Sequence, residues 1–280
     1  MTIKDLITTG EEILNKAGIH DAPNDSRELL CFVTGRDRTG LIMYLNSEID
    51  EEKQKKYLEL VEKRASHIPL QHITGEQEFM GYRFKVTEDV LVPRMDTELL
   101  VEEAAKRAVL GAKILDLCTG SGIIGIALKK ICFAAEVTLS DISDKALEVA
   151  KENAEMNRAD VKIIKSDMFG SLDPGEKFTM IVSNPPYIPS SVIDDLEPEV
   201  RDHDPRLALD GGNDGLDIYR IIATDAPNHM TKGAWLLMEI GYDQGETVPD
   251  LLRETGKYEE QIEVIKDLGG NDRVVVAKAK

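Results

Sequence analysis

Aromatic residues make up only 5% of this 280-residue chain, tryptophan occurs once, and there are three cysteines. Cys31, Cys118 and Cys132 are odd in number and lack C-x-x-C spacing, so neither a disulfide framework nor a cysteine-built metal site is expected. The five histidines, His20, His67, His72, His203 and His229, stand singly and form no ligand pair, and no metal is anticipated. No apolar run approaches the roughly 20 residues of a membrane-spanning helix. The opening Met1-Thr2-Ile3-Lys4-Asp5 lacks the apolar core of a signal peptide. Basic charge is scarce as well: 34 Lys/Arg face 52 Asp/Glu, a formal net charge of −18. Residues 1–64 hold ten Lys/Arg against thirteen Asp/Glu, so most of the acid surplus lies beyond them. Enzymes of nucleic acids usually carry a basic footprint, and this balance weighs against DNA. Surplus acid also keeps a protein dispersed, so charge by itself selects no substrate. A cytoplasmic monomer without membrane association is the plain expectation.

What is present suffices for a core: 42% hydrophobic and 31% charged residues, over a length suited to one large domain and one small one. Up to about residue 70 the apolar spacing is helical. Ile3, Leu6, Ile7, Ile13 and Leu14 line a first helix stopped by Gly18. Leu29, Leu30, Phe32 and Val33 belong to a second, capped near Asn24 to Ser26 and closed by Gly35. Leu41, Ile42, Tyr44 and Leu45 mark a third, and Tyr57, Leu60 and Val61 a fourth beginning near Asp50. Such a bundle, 1–70, serves either as a core of its own or as a docking platform for substrate. Between 71 and 95 the pattern changes, and Glu78 to Val86 alternates around Met80-Gly81 as a linking β-hairpin. From 96 to 280 helices and strands alternate in the manner of a doubly wound α/β sheet: helix 97–109, strand 113–117, helix 122–131, strand 135–140, helix 143–156, strands 161–165 and 178–183. A long polar loop, 187–214, precedes helix 215–230, strand 234–239, helix 243–253 and a hairpin of 260–266 with 272–279.

Two segments carry chemistry. Asn184-Pro185-Pro186-Tyr187 follows the buried strand Phe178 to Val182. Each proline fixes φ and removes an N–H, leaving a ledge of carbonyl oxygens with few competing donors, and Asn184 adds one side-chain acceptor and two donors. A planar NH₂ group fits this ledge, giving one hydrogen to the Asn184 oxygen and the other to the Pro185 carbonyl, with Tyr187 against its π face. A structural turn is the bland alternative. The second segment, Ile114 to Gly125, runs from an apolar strand through Gly120, Gly122 and Gly125 into an apolar helix. Glycines there let the backbone turn tightly and approach a ligand. The spacing also satisfies the dinucleotide fingerprint, so a nicotinamide enzyme must be weighed. Asp141, ending the next strand, suits the ribose of either cofactor. Asp116, a carboxylate just before the glycine loop, favours a ligand with a cationic amino-acid tail over a pyrophosphate, which describes S-adenosylmethionine.

Taken with Val92-Pro93-Arg94-Met95-Asp96-Thr97-Glu98, these segments resemble the peptide chain release factor glutamine methyltransferases, the HemK/PrmC family. So do Pro69 to Gly75, Asp204-Pro205-Arg206-Leu207-Ala208-Leu209-Asp210-Gly211-Gly212 and Glu239-Ile240-Gly241. The resemblance runs the length of the chain in order. The proline tetrapeptide and glycine loop are shared with other methyltransferases, whereas the Pro-Arg-x-Asp-Thr-Glu and Asp-Pro-Arg-x-Ala-Leu segments are the specific signals. Met95 stands where the family commonly has proline, which should loosen that turn without touching the chemistry.

The resemblance implies a Rossmann-like class I methyltransferase sheet, S-adenosylmethionine as cofactor and a release factor as protein partner, methylated on the glutamine of its Gly-Gly-Gln motif. It implies that Asn184, Pro185 and Tyr187 are catalytic, and that Asn184, Pro185, Pro186 and Tyr187 bind the substrate amide. It implies further that Cys118, Thr119, Gly120, Ser121 and Gly122 surround the cofactor's methionine part, with Asp141 on its ribose and Asp167 and Met168 at its adenine, and that Asp116 and Asn184 also bind the cofactor. Cys118 is expected to contribute backbone rather than thiol. Met168 and Phe169 have core plugs as their plain alternative, Arg94 and Glu98 a role at the domain junction. Glu199, Arg201, Asp204 and Arg206 are expected either to pair with one another or to contact a partner. Three rivals stand beside this reading: an adenine amino-methyltransferase acting on DNA or RNA, which wants a basic recognition segment not found here; a nicotinamide dehydrogenase, which fits the glycines but leaves Asn184 to Tyr187 unexplained; and a non-catalytic cofactor-binding adaptor, which would not need all four ledge residues.

Overall fold

Thr2 starts the first helix with a reciprocal cap: its hydroxyl accepts the Asp5 N–H at 3.2 Å, and the Asp5 carboxylate accepts the Thr2 N–H at 3.0 Å. A computed structural model describes residues 1–280 and divides into two compact units, Met1–Glu76 with Glu197–His203, and Gln77–Leu196 with Asp204–Lys280.

The first unit contains α1 (Ile3–Lys16), α2 (Ala22–Thr34), α3 (Arg38–Met43), α4 (Glu51–Ala65) and α5 (Leu70–Thr74). Gly35 closes α2 with φ +66°, and the Asp50 side chain caps α4 by accepting the Lys53 N–H, both where the sequence puts them. α2 begins earlier than its expected cap near Asn24 to Ser26, because Pro23 occupies the first turn, where a missing N–H costs nothing. Leu6, Leu14, Leu29, Leu30 and Leu60 form its core around a buried polar contact between Ser26 and Tyr57 hydroxyls, 2.7 Å apart. Gly10 makes room for that phenol, since a Cβ there would lie 1.9 Å from the Tyr57 oxygen. The buried Arg64 guanidinium contacts Asp25 at 2.7 Å and Glu199 at 2.5 Å, so residues 197–203 belong to this unit and not to the later part of the chain where they lie in sequence.

From Gln77 the second unit opens with the rest of β1 (Glu76–Phe79) and β2 (Tyr82–Lys85), joined by Met80 and Gly81, both at positive φ as a two-residue hairpin turn requires. The Met80 N–H donates to the Glu98 carboxylate at 2.6 Å, which fastens the hairpin to α6 (Thr97–Arg107). β3 (Lys113–Leu117), α7 (Ile123–Ile131), β4 (Glu136–Asp141), α8 (Asp144–Asn157), β5 (Lys162–Lys165) and β6 (Phe178–Ser183) follow. After β6, the expected polar loop holds two short helices, α9 (Pro198–Arg201), part of the first unit, and α10 (Arg206–Leu209). α11 (Asp217–Asp225), β7 (Met230–Glu239), α12 (Thr247–Thr255), β8 (Glu263–Lys266) and β9 (Asp272–Lys278) complete the chain. The expected helix 215–230 is shorter because Pro227 falls in a 3-10 turn at Ala226–His229.

Seven strands form one sheet in the order β5-β4-β3-β6-β7-β9-β8, with parallel pairing from β5 to β7 and antiparallel pairing beyond. Alternate residues of a strand serve opposite faces. Ile114, Met180 and Val182 pack with α6, α7, α8 and the hairpin, while Leu115, Leu117 and Ile181 pack with α11 and α12. The sheet is therefore covered by helices on both sides, the doubly wound arrangement expected. Strand order reverses between β3 and β6, and ligands of such sheets sit at the strand carboxyl ends beside that reversal.

Candidate active site

Leu117 ends β3, and the chain turns at once through Cys118, Gly120 and Gly122, at φ +59°, +54° and +82°. The positive φ at Gly122 calls for glycine, and Gly125 is crowded: a Cβ there would lie only 2.2 Å from Leu139 Cδ2 and 3.0 Å from Asp116 Oδ2. Asp116 is fully buried beneath this turn. Its Oδ2 accepts the Thr119 hydroxyl at 2.5 Å and the Gly125 N–H at 2.9 Å, and burial pushes its carboxyl up to about 7 against those two bonds. Asp116 does not line the cavity above, which corrects its expected place at a ligand's amino-acid tail: it is the foundation of the glycine loop. Burial also pushes the Cys118 thiol up to about 12, with the Asp141 charge adding to it, so a neutral thiol faces the site.

A cavity of about 200 Å³ opens at the carboxyl ends of β3, β4 and β6. Cys118, Thr119, Gly120 and Ser121 form one wall, and Asp141, Asp167 and Met168 another. Asp141 is fixed from both sides, its Oδ2 accepting the Gly120 N–H and its Oδ1 the Ser143 N–H, each at 2.9 Å. Gly122 lies under the wall and not in it. Phe169 is core, stacked on His229 with ring centroids 5.1 Å apart, whereas its neighbour Met168 reaches the cavity.

Asn184 and Pro186 line the same cavity; Pro185 and Tyr187 do not. Pro185 is buried, and the Tyr187 ring, expected on the face of a substrate amide, is turned against the core under α11 and α12. Burial, reinforced by Glu239, pushes its phenol up to about 12. The backbone after the ledge explains this placement. The Tyr187 carbonyl accepts Gln244 Nε2 at 3.2 Å, and a Cβ on Gly211 would lie 2.8 Å from Tyr187 Cα, so the Asp-Gly-Gly segment closes directly on it.

Sequence reasoning gave no ligand role to the segments that complete the cavity. Asp89, Val90, Pro93, Arg94 and Thr97 come from the stretch leading into α6; Pro205, Leu207 and Ala208 come from the start of α10. Their signal was the pair of Pro-Arg motifs. Asp204 joins the two by accepting the Val92 N–H at 3.2 Å, and burial raises its carboxyl to about 6. The four loop charges, expected either to pair with one another or to contact a partner, meet other residues of the chain: Glu199 takes Arg64, Arg201 takes Asp202, Asp204 takes the Val92 N–H, and Arg206 takes Asp210. Met95 is 62% exposed, in keeping with a departure that touches no chemistry.

Comparison with known proteins agrees with this geometry. Residues 5–75 match the model of the PrmC N-terminal domain, and residues 94–196 that of the methyltransferase small domain. A release factor glutamine methyltransferase of Geobacter sulfurreducens is 41% identical over 98% of this chain and 95% of its own length. The chain belongs to the release factor glutamine methyltransferase family. A second member of that family, from Clostridium acetobutylicum, is 39% identical over 99% of this chain and 98% of its own. Among solved structures, a methyltransferase from Pyrococcus furiosus shares the fold, with a TM-score of 0.52 at 18% identity over 70% of this chain and 88% of that one.

Proposed function

We propose that this enzyme transfers a methyl group from S-adenosylmethionine to the side-chain amide nitrogen of the glutamine in a release factor's Gly-Gly-Gln motif. The observation that carries the reading is that the glycine loop, Asp141 and Asn184 border one cavity. The charge of that cavity favours the cofactor. Asp89, Asp141 and Asp167 line it against Arg94 alone, a surplus of acid that suits a sulfonium with an ammonium group and opposes a pyrophosphate. Asp141 is the group for the ribose hydroxyls, Met168 and Ile142 offer an apolar seat for a base, and Cys118 to Ser121 border the remainder. When bound, S-adenosylmethionine supplies an electrophilic methyl group.

The chain's own contribution is to prepare the amide. An amide nitrogen is a poor nucleophile because its lone pair is delocalised into the carbonyl. Asn184 Oδ1, on the cavity wall, accepts an N–H hydrogen of the amide, aims the lone pair and stabilises the positive charge that grows on nitrogen. The walls hold the reacting atoms in line and exclude water. No general base is assigned, because the nitrogen becomes acidic only as it gains the methyl group. Burial makes Cys118 and Tyr187 poor candidates for one.

Selectivity for a whole protein requires a second hold. In the helical unit Phe32, Ile42, Met43 and Tyr44 are exposed, and we assign docking of the factor to that unit. The formal charge of −18 favours protein over nucleic acid as substrate, and no helix is long and apolar enough to cross a membrane; a cytoplasmic enzyme acting on soluble factors fits both. The test offers labelled S-adenosylmethionine with a release factor, its Gln→Ala variant and DNA. Label in the intact factor alone is expected. Label in adenine of DNA at a matching rate would overturn the reading.

A further inference from the structure

We propose that Thr97 and Glu239 are positioning residues that hold the Asn184 side-chain amide with its oxygen toward the cavity. The inference rests on the role given to Asn184 above and concerns what makes that role possible. An asparagine amide has nearly equal shape either way round, but only one orientation presents an acceptor to a substrate N–H; the other presents a donor and repels it. Something must choose.

The choice is made by the direction of one hydroxyl proton. Thr97 Oγ1 lies 2.7 Å from Glu239 Oε2 and 3.4 Å from Asn184 Nδ2. An ionised carboxylate can only accept, so the Thr97 proton goes to Glu239. The Thr97 oxygen then has only lone pairs left for Asn184, which must turn its NH₂ inward and its oxygen outward. Thr97 and Glu239 are 2% and 1% exposed, so water does not compete for these bonds. Glu239 is itself held, because its main-chain carbonyl accepts the Tyr219 hydroxyl at 2.8 Å. Arg273, the nearest cation on β9, is committed to Asp267 at 3.1 Å and Asp96 at 3.3 Å. The relay gives a purpose to the Asp-Thr-Glu and Glu-Ile-Gly motifs, 142 residues apart at this contact.

The same relay has a reversed state. A protonated Glu239 would donate to Thr97, whose own proton would then face Asn184 and attract its oxygen, turning the NH₂ group into the cavity. Burial pushes the Glu239 carboxyl up to about 6, opposed by the Thr97 bond and the charges of Arg273 and Arg94, while Asp96 pushes the same way as burial. Turnover should therefore have an acid limb near that value.

The test measures methyl transfer, cofactor binding by calorimetry and the pH dependence of kcat for Thr97→Val, Thr97→Ser, Glu239→Gln and Asn184→Ala. Thr97→Val, equal in shape but without the hydroxyl, should bind cofactor normally yet lose more than about tenfold in kcat, as misorientation of a reacting group does. Thr97→Ser should restore most of it. Glu239→Gln does not titrate and can turn either its amide oxygen or its NH₂ toward Thr97, so it should lose the acid limb and have a kcat between wild type and Thr97→Val. Thr97→Val should have no further effect in an Asn184→Ala background. Full activity of Thr97→Val beside an impaired Asn184→Ala would overturn this inference alone. So would an acid limb unchanged in Glu239→Gln. Full activity of Asn184→Ala would remove the role of Asn184 itself.

Discussion

The Asp141 carboxylate accepts the Gly120 backbone N–H at 2.9 Å, so the tip of the loop after β3 is tied to the end of β4. One carboxylate thus shapes the glycine loop and faces the cavity, and a change at Asp141 acts on both.

Asp141→Ala is expected to weaken S-adenosylmethionine binding by about 1.5–3 kcal/mol, the loss of a hydrogen bond to a charged acceptor. Titration calorimetry measures it, and a parallel melting curve separates lost contact from a collapsed loop. Unchanged affinity would remove Asp141 from the ribose.

Gly125→Ala tests the floor of the same loop. The new methyl would meet Leu139 Cδ2 at 2.2 Å and Asp116 Oδ2 at 3.0 Å. Leu139 is fully buried, and overpacking of this kind costs about 1–3 kcal/mol. Urea denaturation should show a lower midpoint, and wild-type stability would mean that Leu139 has a second rotamer to enter.

Stability should fall as pH rises from about 4 toward 7. Asp204, Glu239 and Asp116 have carboxyls raised by burial to about 6, 6 and 7. A group that holds its proton more tightly when folded contributes its full stability below its ordinary value, and that contribution is lost as pH climbs through the raised one. Asp204→Asn still offers an oxygen to the Val92 N–H but does not titrate. It should flatten the decline in unfolding free energy, measured by urea denaturation, between about pH 4 and 6 by an amount on the order of 2–3 kcal/mol. A decline identical to wild type would place the effect elsewhere.

Ile42 and Met43 are 67% and 71% exposed, so charging them should leave the fold unharmed. Ile42→Glu with Met43→Glu is expected to raise the KM for an intact release factor several-fold, as loss of apolar contact does. The rate with a short Gly-Gly-Gln peptide should not move. Equal effects on peptide and protein would show that the helical unit does not dock substrate.

Elements whose ends are written in their own residues were legible. Asp50, Gly35 and the Met80-Gly81 turn act through neighbours a few positions away, and β6 was bounded at Phe178 and Ser183 as expected. Two helix starts were misplaced although proline marked them: Pro23 and Pro249 each lie in a first turn, and the chain before them cannot be helical interior. β7 starts at Met230, four residues early, because a register shift lets Met230 pair with Phe178 across a polar, glycine-containing stretch. The site divides in the same way. The glycine loop, Asp141 and Asn184 were visible as motifs. The burial of Asp116 and the turn of Tyr187 away from the cavity depend on what packs above and below them, which no local pattern records.

The helical unit is discontinuous in sequence, since residues 197–203 belong to it while both flanks belong to the other unit. A scissor placed at residue 76 therefore does not yield two self-sufficient pieces. The leading fragment would keep Arg64 and Asp25 but forfeit Glu199, and the trailing fragment would carry Glu199 with no guanidinium to meet it. Splicing the helical unit onto another catalytic body demands transplantation of seven further residues from the loop beyond the proline ledge. Gene fusions and truncations that treat the chain as two beads on a string would break an ion pair whose two halves are encoded 135 positions apart.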